Sequence, residues 1–264
     1  MGLKIGKTEK YINEQLERKG ALLFMVVDPV DYKDEKDAIK FAKDSAEGGA
    51  DVILVGGSVG AQGELLDDVT KGIKDVVNVP VILFPGNIAT ITKYADALYF
   101  MSLLNARNPY WITQAQMLSA PLIKKMNIEP LPVGYIVVQP GGTVGWVGDA
   151  NLVPREKPMI AAALAMAGQY LGNRIIITDV GSNPQSQGQS SVPLDMIKAV
   201  SSSITVPYGI AGGIRDEDTI RSSIKAGAQI LQIGTAIEKS KDAIEKSRFF
   251  SKIIKEEGLK KLRQ

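Results

Sequence analysis

The amino-acid sequence predicts a single (β/α)₈ barrel, an α/β fold in which one domain spans residues 1–264. Three observations support it: short apolar runs alternate with amphipathic stretches, the two halves of the chain resemble each other, and glycine turns follow the last two apolar runs. In this fold the carboxyl ends of the strands form the active site, and a phosphate often binds after strands 7 and 8.

The eight apolar runs are the predicted strands. They are almost continuously apolar, which is typical of parallel strands covered by helices on both faces. A hydrophobic content of 45% is sufficient for such a core. In chain order the runs cover residues 21–28, 51–57, 79–84, 97–104, 132–138, 174–180, 206–211 and 229–234.

The segments between these runs have helical spacing, as in Leu66, Val69 and Ile73, or Ile220 and Ile224. A weak internal repeat also relates the two halves. Residues 78–82 followed by 94–98 resemble residues 205–209 followed by 226–230. Two similar four-strand halves favour a closed barrel over an open doubly wound sheet.

Composition excludes several kinds of chemistry. The chain has neither Cys nor His, which rules out disulfides, thiolate nucleophiles and imidazole bases or ligands, so any metal must be bound by oxygen. Lys plus Arg number 31 against 29 Asp plus Glu, which gives no electrostatic case for binding nucleic acid. No apolar run reaches the length of a signal peptide or membrane span, so we expect a soluble, cytoplasmic protein.

The two glycine turns, Gly212-Gly213 and Gly234-Thr235, predict a phosphate site. Glycine accepts positive φ and brings bare N–H groups close to an oxyanion, and a helix that begins after each turn adds its positive dipole end. Glycines at helix starts are also common in α/β proteins without phosphate sites, so each turn alone is weak evidence. Their occurrence on consecutive strands strengthens the prediction.

Two carboxylates stand at predicted strand ends, Asp28 and Asp179. Asp28 is either a cap before Pro29 or a ligand of a hard cation, to which Ser58 adds a hydroxyl. Asp179 is either a structural cap or, because the chain lacks His, the general base for a substrate hydroxyl, with Gly181 and Ser182 beside it. The stretch 139–158 is predicted to be a long active-site loop.

The residues at these strand ends resemble the geranylgeranylglyceryl phosphate synthase family over nearly the whole chain. The segment Asn108-Pro-Tyr-Trp-Ile112 carries the most specific part of the resemblance. The other motifs are Asp28-Pro29, Val55-Gly-Gly-Ser58, Phe84-Pro-Gly86, Thr178-Asp-Val-Gly-Ser182, Gly212-Gly-Ile214 and Gly234-Thr235.

The resemblance implies a magnesium-dependent prenyltransferase that joins geranylgeranyl diphosphate to the C3 hydroxyl of sn-glycerol 1-phosphate, the first ether bond of archaeal membrane phospholipids. It implies that Asp28 and Ser58 hold Mg²⁺, which binds the diphosphate. It assigns sn-glycerol 1-phosphate to Ile177, Thr178, Asp179, Val180, Gly181, Ser182, Asn183, Gly212, Gly213, Gly234 and Thr235. Asp179 is then the base.

One departure concerns strand 6, where most relatives read Tyr-Leu-Glu-Ala-Gly-Ser. This chain has Ile177 in place of the tyrosine and Asp179 in place of the glutamate, so it lacks a hydroxyl and has a shorter carboxylate. Tyr99 and Phe100 are candidates to line the prenyl groove. The resemblance also implies a homo-oligomer, a dimer or a hexamer, and allows peripheral contact with a membrane through the lipid product.

Three alternatives stay open. A heptaprenylglyceryl phosphate synthase differs mainly in the length of the prenyl tail. Another phosphate-binding barrel enzyme would act on a sugar phosphate, although no predicted strand carries the interior lysine that a Schiff-base aldolase needs. A non-catalytic scaffold is disfavoured by the acids at two strand ends.

Overall fold

The computed structural model describes residues 4–263, and its centre is a closed barrel of eight parallel strands paired in the order β1 to β8. The predicted fold class is therefore confirmed. The strands are β1 (Leu22–Val27), β2 (Val52–Gly57), β3 (Val81–Pro85), β4 (Ala97–Leu103), β5 (Glu129–Val137), β6 (Ile175–Asp179), β7 (Tyr208–Ala211) and β8 (Ile230–Ile233).

The described residues form ten α-helices, which lie around the strands or within the connections between them. They are α1 (Lys7–Lys19), α2 (Glu35–Glu47), α3 (Gly63–Val76), α4 (Ala115–Met126), α5 (Gly142–Val147), α6 (Pro158–Tyr170), α7 (Leu194–Ser203), α8 (Glu217–Ala226), α9 (Thr235–Glu238) and α10 (Ala243–Lys261). None of the helices among residues 4–263 is long and apolar enough to cross a bilayer.

The strands alternate between two hydrophobic clusters, as the period of two in a β-strand requires. One cluster fills the barrel and includes Phe24, Val133, Tyr135 and Ile177. The other lies between the strands and the helices and includes the intervening residues. Because the alternation continues to the strand ends, it places Asp179, two residues beyond Ile177, on the inner face at the mouth of the barrel.

Helix α1, which the sequence did not predict, packs at the opposite end of the barrel. Its fully buried Ile12 belongs to the interior cluster. The backbone N–H groups of Thr8 and Glu9 donate to the two carboxylate oxygens of Glu129 at 2.8 and 2.9 Å. A carboxylate at a helix start satisfies otherwise unpaired donors and interacts favourably with the helix dipole. Helix α1 therefore covers the amino ends of the strands and leaves the carboxyl ends free of this contact.

Two expectations about loops need correction. The stretch 139–158 is not one loop, because it contains α5 and adds a parallel bridge between Val138 and Val153. The helix after the first glycine turn does not begin directly after it. Three residues separate Gly213 from Glu217, where α8 begins, and the N-terminus of α8 is capped by Asp216.

Candidate active site

A cavity of about 240 Å³ opens at the carboxyl ends of the strands. Most of the predicted site residues line it, so the barrel brings together side chains that are up to about 200 positions apart in sequence. The predicted residues in the lining are Asp28, Ser58, Asp179, Gly181, Ser182, Asn183, Gly212, Gly213, Gly234 and Thr235.

Three residues of the strand 6 motif do not line the cavity. Ile177 lies one layer deeper in the barrel interior. Thr178 faces the helices, where its hydroxyl shares a 2.7 Å hydrogen bond with that of Tyr208. Val180 is fully buried in the outer cluster. The expectation that all of residues 177–183 contact a substrate is therefore too broad, because a strand presents only alternate side chains to the interior.

The Asp179 carboxylate is buried and held at both oxygens. The Tyr135 hydroxyl donates to Oδ2 at 2.6 Å, and the backbone N–H of Gly181 donates to Oδ1 at 2.7 Å. Burial raises the pKa of Asp179 above its usual value, while these two hydrogen bonds lower it because they favour the charged form. A positioned carboxylate with a raised pKa is suited to accept a proton near neutral pH.

The backbone of the first glycine turn requires glycine. Gly212 and Gly213 have φ of 83° and 71°, in the left-handed region. A Cβ on Gly212 would lie 2.5 Å from the Gly181 carbonyl oxygen and 3.0 Å from Asp179 Oδ1. The turn after β8 differs, because Gly234 has φ of −125° and α9 begins directly after it at Thr235. Only the second turn has the helix start that was expected of both.

Asp28 lies at the end of β1, which pairs with β8, so it is next to the second of these turns. Its Oδ1 accepts a 3.3 Å hydrogen bond from the backbone N–H of Val30, so the capping role is present. Burial, with a smaller contribution from the charges of Asp31 and Glu238, raises the pKa of Asp28 to about 7. A side chain at Gly57 would overlap both Asp28 carboxylate oxygens, so glycine there makes room for the acid.

These residues fit a hard cation. Asp28 is a half-buried carboxylate next to two other acids, Asp31 and Glu238, and all three line the cavity. The residues that the structure describes contain no cluster of three or more Asp or Glu that would enclose a metal alone. Magnesium commonly takes one or two carboxylates and completes its shell with water and substrate phosphate, and Asp28 with Ser58 suits that arrangement.

Several lining residues were not singled out in the sequence. Arg215 lies two residues beyond the first glycine turn and donates to the Asn183 side chain. Its position after Gly-Gly was the only available signal. Glu238 on α9, Gln232 on β8 and Tyr135 on β5 also line the cavity, and only the strand register reveals that they meet there.

One side of the cavity is apolar. The Tyr99 ring is fully buried and forms part of the floor, whereas Phe100 is partly exposed beside the opening. Trp111 belongs to this wall, while Trp146 is 86% exposed and lies outside the lining. The apolar lining is formed chiefly by Ile91, Leu98, Phe100, Met101, Leu103 and Trp111.

The fold and the site together define a (β/α)₈ barrel enzyme whose cavity contains a buried carboxylate, two glycine turns and the three acids Asp28, Asp31 and Glu238. The sequence model of the PcrB family matches residues 15–252. The chain therefore belongs to the PcrB family, and the enzyme class expected from the strand-end motifs is confirmed.

Two relatives and one solved structure are similar to this protein over nearly the whole chain. The geranylgeranylglyceryl phosphate synthase of Pyrococcus horikoshii is 52% identical over 246 residues, which cover 93% of this chain and 94% of the relative. That of Thermococcus kodakarensis is 53% identical over 247 residues, covering 93% and 95%. The Thermoplasma acidophilum enzyme, solved in complex with sn-glycerol-1-phosphate, superposes with a TM-score of 0.88 at 30% identity, covering 96% and 100%.

Proposed function

We propose that this protein transfers a geranylgeranyl group from geranylgeranyl diphosphate to the C3 hydroxyl of sn-glycerol 1-phosphate. The observation that carries the proposal is that one cavity contains four features. They are the two glycine turns, the buried Asp179 carboxylate, the acids Asp28, Asp31 and Glu238, and an apolar lining. The relatives' names and the substrate bound to the Thermoplasma acidophilum enzyme support it.

The acceptor's phosphate would bind the turns at Gly212-Gly213 and Gly234-Thr235, with Ser182 and Arg215 beside it. Bare N–H groups and a guanidinium are both suited to a dianion. Held there, the acceptor places its C3 hydroxyl near Asp179. Asp179 takes the hydroxyl proton, the oxygen forms a bond to allylic C1 of the donor, and the bond from C1 to the diphosphate oxygen breaks. Holding both reactants in place supplies much of the rate enhancement.

The donor's diphosphate would lie at Asp28 and Ser58, at the ends of β1 and β2. We propose Mg²⁺ as the cofactor held by these two side chains. When bound, this ion supplies positive charge to the departing diphosphate.

The apolar side of the cavity would hold the first isoprene units of the donor. Phe100, Met101 and Trp111 line this part of the cavity. A twenty-carbon tail is longer than this wall, so the remainder would lie along the adjoining surface of α4, where Met117 and Leu118 are exposed. The apolar product then leaves most readily through peripheral contact with a membrane, from a protein located in the cytoplasm.

We further propose a homo-oligomer, a dimer or a hexamer. The support is the exposure of large apolar side chains on helices α4 and α6, including Leu122, Met159 and Ile160. Contiguous exposed apolar surface is typical of subunit contacts. Light scattering on the purified protein distinguishes the monomer, dimer and hexamer.

The test of function is an assay with purified protein, magnesium, sn-glycerol 1-phosphate and labelled prenyl diphosphates of increasing length. We expect an ether product that depends on magnesium and is formed fastest with the twenty-carbon donor. A preference for the thirty-five-carbon donor assigns the heptaprenyl reaction instead. Absence of ether product from every donor contradicts the proposal.

A further inference from the structure

Gln232 is a buried amide at the floor of the cavity, and the proposed reaction leaves it without a role. Its side chain is 3% exposed, and the residue lines the cavity. Its Nε2 donates a 3.1 Å hydrogen bond to the Tyr99 hydroxyl. Its Oε1 is buried and has no hydrogen-bond partner among residues 4–263. A buried carbonyl oxygen without a donor costs free energy, so a ligand that supplies a donor gains by occupying this position.

The strand register places this amide level with the base. Asp179 pairs with Ala211 across β6 and β7, and Ala211 pairs with Gln232 across β7 and β8. All three residues line the cavity. The small methyl group of Ala211 leaves space between the two polar side chains. A short ligand below the phosphate turns therefore has the Asp179 carboxylate on one side and the Gln232 amide on the other.

The acceptor has one hydroxyl for each of these groups. Glycerol phosphate carries hydroxyls at C2 and C3, and the reaction uses only the C3 hydroxyl as the nucleophile. A hydroxyl both donates and accepts hydrogen bonds, so it matches whichever end of the amide faces it. When the phosphate is held on the glycine turns, the short glycerol chain keeps the C2 hydroxyl close to the level of Asp179 and Gln232.

We propose that Gln232 hydrogen-bonds the C2 hydroxyl of the acceptor and is a specificity-determining residue for it. The inference rests on the proposed function, because it concerns how the same acceptor is recognised. Tyr99 acts as a positioning residue that holds the amide from the far side. The pair rejects acceptors that lack the C2 hydroxyl, since binding them leaves the buried amide unpaired.

The test compares two acceptors, sn-glycerol 1-phosphate and 3-hydroxypropyl phosphate, which keeps the phosphate and the nucleophilic hydroxyl but lacks the C2 hydroxyl. We expect the unmodified protein to prefer sn-glycerol 1-phosphate by about tenfold or more in kcat/KM, the effect of one buried hydrogen bond. Gln232→Met should lower kcat/KM for sn-glycerol 1-phosphate about tenfold and leave 3-hydroxypropyl phosphate within about twofold. The preference should disappear.

Gln229, three residues before Gln232 in the sequence, provides a matched control. Gln229 Oε1 accepts a hydrogen bond from the Tyr208 backbone N–H at 3.3 Å, outside the cavity lining. Gln229→Met makes the same chemical change and should keep the preference. Gln232→Asn provides a second variant if Gln232→Met does not fold, because it retains an amide but withdraws it by one methylene, and it should also lose the preference.

The outcomes separate the two proposals. If the unmodified protein forms no ether product with either acceptor, the proposed function fails. If it forms product but Gln232→Met or Gln232→Asn keeps the full preference for sn-glycerol 1-phosphate, the role of Gln232 is overturned, and a water molecule serves its oxygen instead. Equal loss of preference in Gln229→Met also overturns it, because the effect is then not specific to the cavity.

Discussion

The Tyr135 hydroxyl donates a 2.6 Å hydrogen bond to Asp179 Oδ2 inside the barrel. Tyr135 pairs in register with Ile177, an apolar residue of β6. The neighbouring strand therefore supplies a hydroxyl at the level where strand 6 lacks one. Burial and the adjacent Asp179 raise the pKa of Tyr135 well above its usual value, so Tyr135 keeps its proton and remains a donor.

Tyr135→Phe should shift the pH dependence of the reaction. The lost hydrogen bond favours the charged carboxylate, so its removal raises the pKa of Asp179. Because a base works only when ionised, activity is present above this pKa and is lost as the pH falls through it. We expect the acidic limb of the kcat profile to move to higher pH, with kcat near neutrality reduced about tenfold. Steady-state kinetics from pH 5 to 9 measures this shift.

Tyr208→Phe is the matched control for that variant. Tyr208 is equally buried and its hydroxyl shares a 2.7 Å hydrogen bond with Thr178, but on the side of the sheet that faces the helices. The other neighbours of Asp179 on β7, Ala211 and Gly212, do not titrate. The control should lose stability without moving the pH profile. Equal shifts in both variants, or none in Tyr135→Phe, contradict a positioning role.

The parts of the site that lie at strand ends could be predicted from sequence. A buried parallel strand leaves a continuous apolar signal, and the fold places whatever follows it at the barrel mouth. Asp28 and Asp179 were found in this way, as were both glycine turns. The same reasoning also assigned Thr178 and Val180 to the site, although neither lines the cavity, because it did not resolve which face of the strand each side chain occupies.

The remaining site residues could not be predicted from the sequence, because their placement depends on which residues of neighbouring strands pair with each other. Gln232 and Tyr135 lie within apolar runs, where polar side chains look like interruptions, and only the register shows that both border one cavity. Helix α1 was missed for a related reason. Its apolar Ile12 and Leu16 are too few to indicate a helix, and the contact with Glu129 links residues about 120 positions apart.

Asp28→Asn should abolish prenyl transfer and yet stabilise the metal-free protein at high pH. The raised pKa of about 7 means that the folded state keeps the proton while the unfolded state, near 3.8, releases it. Stability from this residue is thus complete below about pH 4 and falls as the pH rises to about 7. Allowing for solvent screening, the variant should gain about 1–2 kcal/mol at pH 8 and nothing at pH 4. Thermal unfolding at both values measures the gain, and retained turnover contradicts the metal assignment.

Gly212→Ala should weaken acceptor binding as well as destabilise the fold. The methyl group would crowd the Gly181 carbonyl at 2.5 Å and approach Asp179 Oδ1, which displaces the turn that we assign to the phosphate. Gly172→Ala is the control, because Gly172 also has positive φ, 101°, but a Cβ there meets no atom within 4 Å. Both variants should lose about 1 kcal/mol of stability from backbone strain, and Gly212→Ala should lose about 1–3 kcal/mol more from the close contact. Only Gly212→Ala should raise the KM for sn-glycerol 1-phosphate, by about tenfold or more; equal KM values contradict the assignment.

Arg215→Met should raise the KM for the acceptor while leaving kcat nearly unchanged. The guanidinium lines the cavity beside the first glycine turn and is exposed, so it attracts the phosphate without contacting the reacting hydroxyl. We expect an increase in KM of about fivefold to tenfold at low salt, shrinking as the ionic strength rises towards 0.5 M, because exposed charges are screened over roughly 10 Å at 0.1 M. Arg248→Met, on α10 outside this cavity, is the matched control and should leave KM unchanged at every salt concentration. A KM for Arg215→Met that matches this control, or a loss confined to kcat, contradicts phosphate binding by Arg215.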